Sequence, residues 1–291
     1  MKLFPWLTRR AINLTWGGAW HMRSRLIPQS LKNQAYSFLY ENQDKLLFVM
    51  GTGRSGTQLI SNLLGSSQEA MVFHEPNFNE DVGTMDILRR DQELANRYWR
   101  HFRSVEIYRR WLRGPRGVMY CEVNGTIRYQ AQAIKYNFPE ARMLLMVRDG
   151  RSVVRSVMER PQFYGPHSKG AFALKPLPGD PFEAEFPTMN RFEKICWSWR
   201  DANEFLIKHV PTDCWISLER LVTDYDYFLA HLTNNKLNIS YKTWNELTSQ
   251  KSKNSTRDYV FPSYESWSKC DRESFNRICG ETNEKLGYMM A

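Results

Sequence analysis

The sequence has no long hydrophobic run. Its longest apolar stretches, such as residues 46–50 and 143–147, are about five or six residues in a chain of 291. A membrane-spanning helix needs about 20, so none is expected. Residues 1–30 are interrupted by arginines, and no export signal is read there. Cysteine is scarce and odd in number: Cys121, Cys196, Cys214, Cys270 and Cys279, with no CxxC spacing and no close Cys/His pair. That excludes a disulfide framework and a zinc site. It points to free thiols in a reducing compartment, hence a cytoplasmic protein. No metal is expected.

Acid is absent from the first 40 residues, which carry Lys2, Arg9, Arg10, Arg23, Arg25 and Lys32; the first carboxylate is Glu41. The formal charge of +9 is therefore mostly a property of this end. A nucleic-acid footprint would spread basic groups over a face of the fold, so no nucleic-acid partner is expected. With Phe4, Trp6, Trp16 and Trp20 between the cations, residues 1–42 read as a basic aromatic extension. It could lie on an anionic membrane surface, but aromatic residues this dense are more often packed on the main body. An arginine-rich, acid-free start also mimics an organelle transit peptide. Oligomeric state is not legible.

What is present is globular: 42% hydrophobic and 24% charged residues exclude wholesale disorder. No internal repeat occurs. Short apolar runs at 46–50, 70–73, 119–123, 143–147 and 214–218 read as strands. Helical spacing covers 57–64, 86–112, 127–136, 152–159, 192–210, 220–232 and 272–286. Alternation of this kind predicts an α/β fold, a three-layer parallel sheet flanked by helices around a P-loop-like nucleotide-binding core, over residues 43–291. Residues 161–188 interrupt the pattern with six of the 13 prolines and read as a covering loop. Residues 233–268 are polar and are not assigned.

Two loops look suited to phosphate. The first, Gly51 to Gln58 (GTGRSGTQ), joins a strand to a helix. Its glycines allow a tight turn that brings backbone N–H groups to an anion, beside the positive end of the following helix. GxGxxG fits Gly51, Gly53 and Gly56. GxxxxG fits Gly51 and Gly56, but Thr57-Gln58 stands where a nucleoside-triphosphate loop has Lys-Ser/Thr. A tight turn with no ligand is the plain alternative. The second loop follows residues 143–147: Arg148 at the strand end, Asp149, Gly150, Arg151, and Ser156 about two turns into the next helix. Here the plain alternative is an ion-pair knot between Asp149 and an arginine.

Taken together, the loops resemble the sulfotransferases that use 3′-phosphoadenosine 5′-phosphosulfate (PAPS), in particular the carbohydrate and tyrosyl branch. The family's Gly-rich K/R-SGT segment stands here as Arg54-Ser55-Gly56-Thr57. Its RDPR-like strand end and helix serine stand as Arg148 and Ser156, with Gly150 replacing the frequent proline. Residues 138–142 (FPEAR) and 218–222 (LERLV) are similar to further family segments, as is the late stretch 251–255 before Trp267. The resemblance implies that Gly53, Arg54, Ser55, Gly56, Thr57 and Gln58 cradle the 5′-phosphosulfate. It further implies that Arg148 and Ser156 bind the 3′-phosphate, and that Asn254 and Ser255 touch the nucleotide.

The implied reaction is in-line sulfuryl transfer to a hydroxyl or amine, leaving adenosine 3′,5′-bisphosphate. Arg54 is then expected to stabilise the leaving phosphate electrostatically, since a guanidinium cannot act as an acid at neutral pH. In the family it resembles, a Glu about 20 residues beyond the phosphate loop is frequent, so the resemblance implies Glu75, 21 residues after Arg54, as general base, with His74 and Glu122 as alternatives. Neighbours on an extended segment face opposite ways, so His74 and Glu75 cannot both point into one site. Residues 161–188 mix Phe163, Tyr164, Phe172, Phe182 and Phe186 with Arg160, His167, Lys169 and Lys175. That mixture favours a carbohydrate or glycolipid acceptor. Competing readings are a nucleotide kinase with a degenerate loop, an NAD(P)-dependent Rossmann oxidoreductase, and an inactive anion-binding homologue.

Overall fold

In a computed structural model, residues 20, 23–233, 237–249 and 260–289 are described. Five parallel strands form one sheet: β1 (Leu46–Gly51), β2 (Ala70–His74), β3 (Met119–Val123), β4 (Arg142–Val147) and β5 (Trp215–Ser217), in the order β2-β3-β1-β4-β5. The two strands that lead into the phosphate-type loops are direct neighbours, with Gly51 opposite Met146. The chain moves from one side of β1 to the other between β3 and β4. Open α/β sheets bind ligands outside the carboxyl ends of their strands at such a switch point.

Burial alternates along the strands and accounts for the three layers. Leu46, Phe48 and Met50 of β1, with Met143 and Leu145 of β4, enter a large core on one face. Leu47 and Val49, with Leu144 and Met146, enter a second core on the other. The first face is covered by α3 (Phe78–Arg90), α4 (Gln92–Tyr98), α6 (Ala131–Asn137), α7 (Gly150–Met158), α8 (Arg191–His209) and α12 (Lys269–Lys285). The second is covered by α2 (Thr57–Leu64), α9 (Leu218–Thr223), α10 (Tyr225–Thr233) and α11 (Tyr241–Ser249). The expected α/β class and sheet are observed.

Two expected helices are divided. The single helix over 86–112 is instead α3, α4, a π-turn (Trp99–Arg103) and α5 (Ser104–Trp111). Asp91 is extended, and its side chain accepts from the Leu94 N–H, so a new helix is capped there. Asp224 does the same, accepting from the Tyr227 N–H between α9 and α10. The unassigned stretch contains α11.

The described part of residues 1–42 packs on the body. In α1 (Gln29–Glu41), Phe38 lies edge-on to Tyr108 and Trp111 of α5, at 5.2 and 5.4 Å between ring centres. Arg23 pairs with Glu80 at 3.0 Å. Among the described residues no helix is long and apolar enough to cross a membrane.

Candidate functional site

The β1–α2 loop is held by its own side chains. Ser55 is buried, and both its N–H and its hydroxyl bond the Thr52 carbonyl, at 3.2 and 2.7 Å. A Cβ at Gly51 would lie 2.5 Å from the Ser55 hydroxyl, so only glycine fits there. Gly56 has φ 97°, and a Cβ on it would meet Leu218 at 2.6 Å. The segment at 218–222 therefore closes the first loop from outside. Gln58 faces outward and bonds Asn62 at 3.1 Å, while Thr57 is the first residue of α2.

The β4–α7 loop comes to the same place. Arg148 Nη1 donates to the Arg54 carbonyl at 2.8 Å, and Arg54 Nε donates to the buried Ser156 hydroxyl at 2.8 Å. Asp149 caps α7 and chelates Arg151, Nη2 to Oδ2 at 2.7 Å, so the Asp149–arginine pair does exist. It leaves Arg148 out: among the described residues no carboxylate pairs with Arg148. Gly150 is required by its surroundings. Its N–H donates to Asn283 at 2.9 Å, and a Cβ would lie 2.8 Å from Trp199. The far half of α7 binds the chain where it returns after 259. Arg155 donates to the Phe261 carbonyl at 3.2 Å, and the Phe261 N–H donates to Glu159. Asn254 and Ser255 lie outside the described residues.

Beside these loops is a cleft of about 740 Å³ including its open mouth. Its sheet-facing end is formed by Thr52 and Gly53 after β1, Glu75 after β2, and Gly125, Thr126 and Arg128 after β3. Burial raises the Glu75 pKa above 4.5, against the opposing effects of His74, Arg128 and a hydrogen bond from the Gly125 N–H. His74 does not line the cleft, and its Nε2 is buried without a hydrogen-bond partner. Glu122 points elsewhere. It is fully buried, bonded to Arg103 and to the Tyr120 hydroxyl, and it accepts from Asn124 at 2.8 Å. Asp81 joins that network, its pKa pushed up to about 6 by burial despite Arg103. The network serves the site indirectly. Asn124 Oδ1 accepts from the Thr126 N–H and hydroxyl and so fixes the turn that faces Glu75.

Three non-glycine residues among those described have positive φ: Arg54 (72°), Glu75 (45°) and Tyr164 (50°). Each such residue costs on the order of 1–3 kcal/mol and tends to mark a functional site. Here Glu75 and Tyr164 line the cleft, and Arg54 follows Gly53, which does too.

Arg128 was not singled out in the sequence. It is 9% exposed, donates to the Gly125 carbonyl at 2.8 Å, and keeps its Nε unbonded. The available signal was its position just past the end of β3. Residues 163–172 contribute Phe163, Tyr164, Ala171 and Phe172 to the cleft, whereas Arg160, His167, Lys169 and Lys175 do not line it. Phe186 packs on Trp197, 4.8 Å between rings, and Arg200 lies over Phe182.

No family model matches the chain, and no curated protein matches it. Among solved structures, it is similar to a sulfotransferase from Alicyclobacillus acidocaldarius at 12% identity and TM-score 0.46, covering 84% of this chain and 96% of that one. It is also similar to the sulfotransferase STF1 from Mycobacterium tuberculosis at 14% identity and TM-score 0.43, covering 92% and 91%.

Proposed function

We propose that the protein is a PAPS-dependent sulfotransferase. The observation that carries the reading is the direct contact of the two loops, through Arg54 with Ser156 and Arg148 with the Arg54 backbone. One adenosine carrier with phosphates at both ends can engage both loops at once. The residues present fit such a group. A Cβ at Gly53 would meet nothing within 4 Å, so that edge of the loop faces open space. Arg148 has no carboxylate to neutralise it among the described residues, and it bonds the Arg54 carbonyl three residues before α2 begins at Thr57.

In this reading Gly53, Gly56, Thr57 and Gln58 supply the backbone cradle for the 5′-phosphosulfate, and Ser55 holds the loop in shape through its bonds to the Thr52 carbonyl. Arg148 and Ser156 hold the 3′-phosphate, with Asn254 and Ser255 as further contacts. The carrier supplies the sulfuryl group and leaves as adenosine 3′,5′-bisphosphate, its phosphate oxygen keeping the electron pair of the broken S–O bond. Arg54, with a fixed positive charge, stabilises that oxygen. Glu75 takes the proton of the acceptor hydroxyl or amine. Its buried, raised-pKa carboxylate is a better base than a solvated one. His74, the neighbour that does not line the cleft, is not placed to serve as a second base.

The test is transfer of radiolabelled sulfuryl from PAPS to an acceptor panel, with calorimetry of adenosine 3′,5′-bisphosphate. Nucleotide-dependent labelling of an acceptor supports the assignment, and absence of both binding and transfer rejects it.

A further inference from the structure

The cleft is divided by chemistry. Every polar group that can meet a reacting hydroxyl sits at the carboxyl ends of β1, β2 and β3: Thr52, Glu75, Thr126 and Arg128. The rest of the wall is apolar. Helix α3 gives Phe78, Val82 and Met85; α7 gives Val153 and Val157; α8 gives Ile195 and Trp199; residues 163–172 add two phenylalanines and Tyr164. Tyr164 has spent its hydroxyl on the Leu174 carbonyl at 3.0 Å. Ser198, which hydrogen-bonds Tyr164, and the Trp199 indole are the remaining polar side chains on that wall.

From this division we propose that the acceptor is an apolar alcohol with a single reacting hydroxyl, an aryl alcohol above all, and not a sugar. The inference rests on the sulfotransferase reading for its reaction, and on the cleft alone for its acceptor class. A buried hydroxyl without a partner costs about 1–3 kcal/mol. A hexose would carry several into a wall that offers one serine, already bonded to Tyr164, and one indole N–H. An aryl body instead meets aromatic and aliphatic faces, and its hydroxyl reaches the polar end. There the proton passes to the Glu75 carboxylate as the acceptor oxygen bonds to sulfur, and the bond from sulfur to the 5′-phosphate oxygen breaks. The cationic groups of residues 160–175, part of the mixture that favoured a carbohydrate, lie off the cleft, so they do not select for one.

The test measures sulfuryl transfer from PAPS to 2-naphthol and to glucose, and measures 2-naphthol binding by calorimetry with and without adenosine 3′,5′-bisphosphate. The expected result is a kcat/KM for 2-naphthol at least about 100-fold above that for glucose. Phe172→Ser should weaken 2-naphthol binding about tenfold and leave adenosine 3′,5′-bisphosphate affinity unchanged. Ala202→Phe, filling the cleft from α8, should do the same and guards against misfolding of either variant. Equal or better transfer to glucose, or no 2-naphthol binding to the unaltered protein, overturns the acceptor class. If adenosine 3′,5′-bisphosphate does not bind while 2-naphthol binds in a Phe172-dependent way, the cleft assignment stands and the sulfotransferase reading falls instead.

Discussion

Arg54 Nε lies 2.8 Å from Ser156 Oγ across 102 residues of sequence. This bond ties the first strand-end loop to the helix behind the second. A hydrogen bond to a charged group is worth about 1.5–3 kcal/mol. Ser156→Ala should therefore weaken adenosine 3′,5′-bisphosphate binding by roughly tenfold or more, through loss of its own contact and of Arg54's support. Calorimetry reads this directly; an unchanged affinity would remove Ser156 from the nucleotide site.

Arg148→Ala should cost about 1.5–3 kcal/mol of affinity for the same nucleotide, roughly 10- to 150-fold. Because Arg148 also holds the Arg54 carbonyl, Arg148→Lys should recover part of the loss and not all of it, lacking the planar fork. Full recovery by lysine would mean that only net charge matters here.

Glu75→Gln should lower kcat by about 10²–10⁴-fold with nucleotide affinity unchanged. The acid side of the pH profile carries the sign. The carboxylate works only when ionised, and burial raises its pKa above 4.5. Activity should therefore fall as pH drops through a value above 4.5. Stability runs the other way: the folded protein keeps this proton longer than the unfolded chain does. The contribution of Glu75 is thus present at low pH and is lost as pH rises through its folded value. Glu75→Gln should abolish both dependences, and a near-normal kcat would move the base to another group.

Glu122→Gln separates a supporting role from a chemical one. Breaking a buried ion pair costs about 3–5 kcal/mol, and both Glu122 and Arg103 are fully buried. The expected result is a large fall in melting temperature. The protein that remains folded at low temperature should keep the pH profile of kcat. A changed profile with normal stability would instead make Glu122 the base.

Gly56→Ala should destabilise the protein by about 1–3 kcal/mol, since the residue is left-handed and its added methyl meets Leu218. Thermal melting tests this, and an unaltered melting temperature would mean that the Leu218 contact yields freely.

The sheet and the two loops were legible because β1 and β4 are short apolar runs ended by glycine or arginine, a local signal. Glu75, expected from the resemblance, lines the cleft. Asp91 and Asp224 were not read as breaks, although each is a helix-capping residue type. Without glycine or proline nearby, the apolar period runs through them unbroken. Arg128 offered only its position just past β3, and the apolar wall could not be read at all. Val82, Val157, Phe172 and Trp199 come from four separate stretches, and only the fold turns them to one cleft.

The central claim is that one nucleotide bridges both loops, and its most direct test compares two ligands that differ by a single phosphate. Calorimetry should show adenosine 3′,5′-bisphosphate binding at least about tenfold more tightly than adenosine 5′-monophosphate, with Arg148→Ala erasing that preference. Equal affinity of the unaltered protein for the two ligands, or a preference that survives Arg148→Ala, would contradict the account.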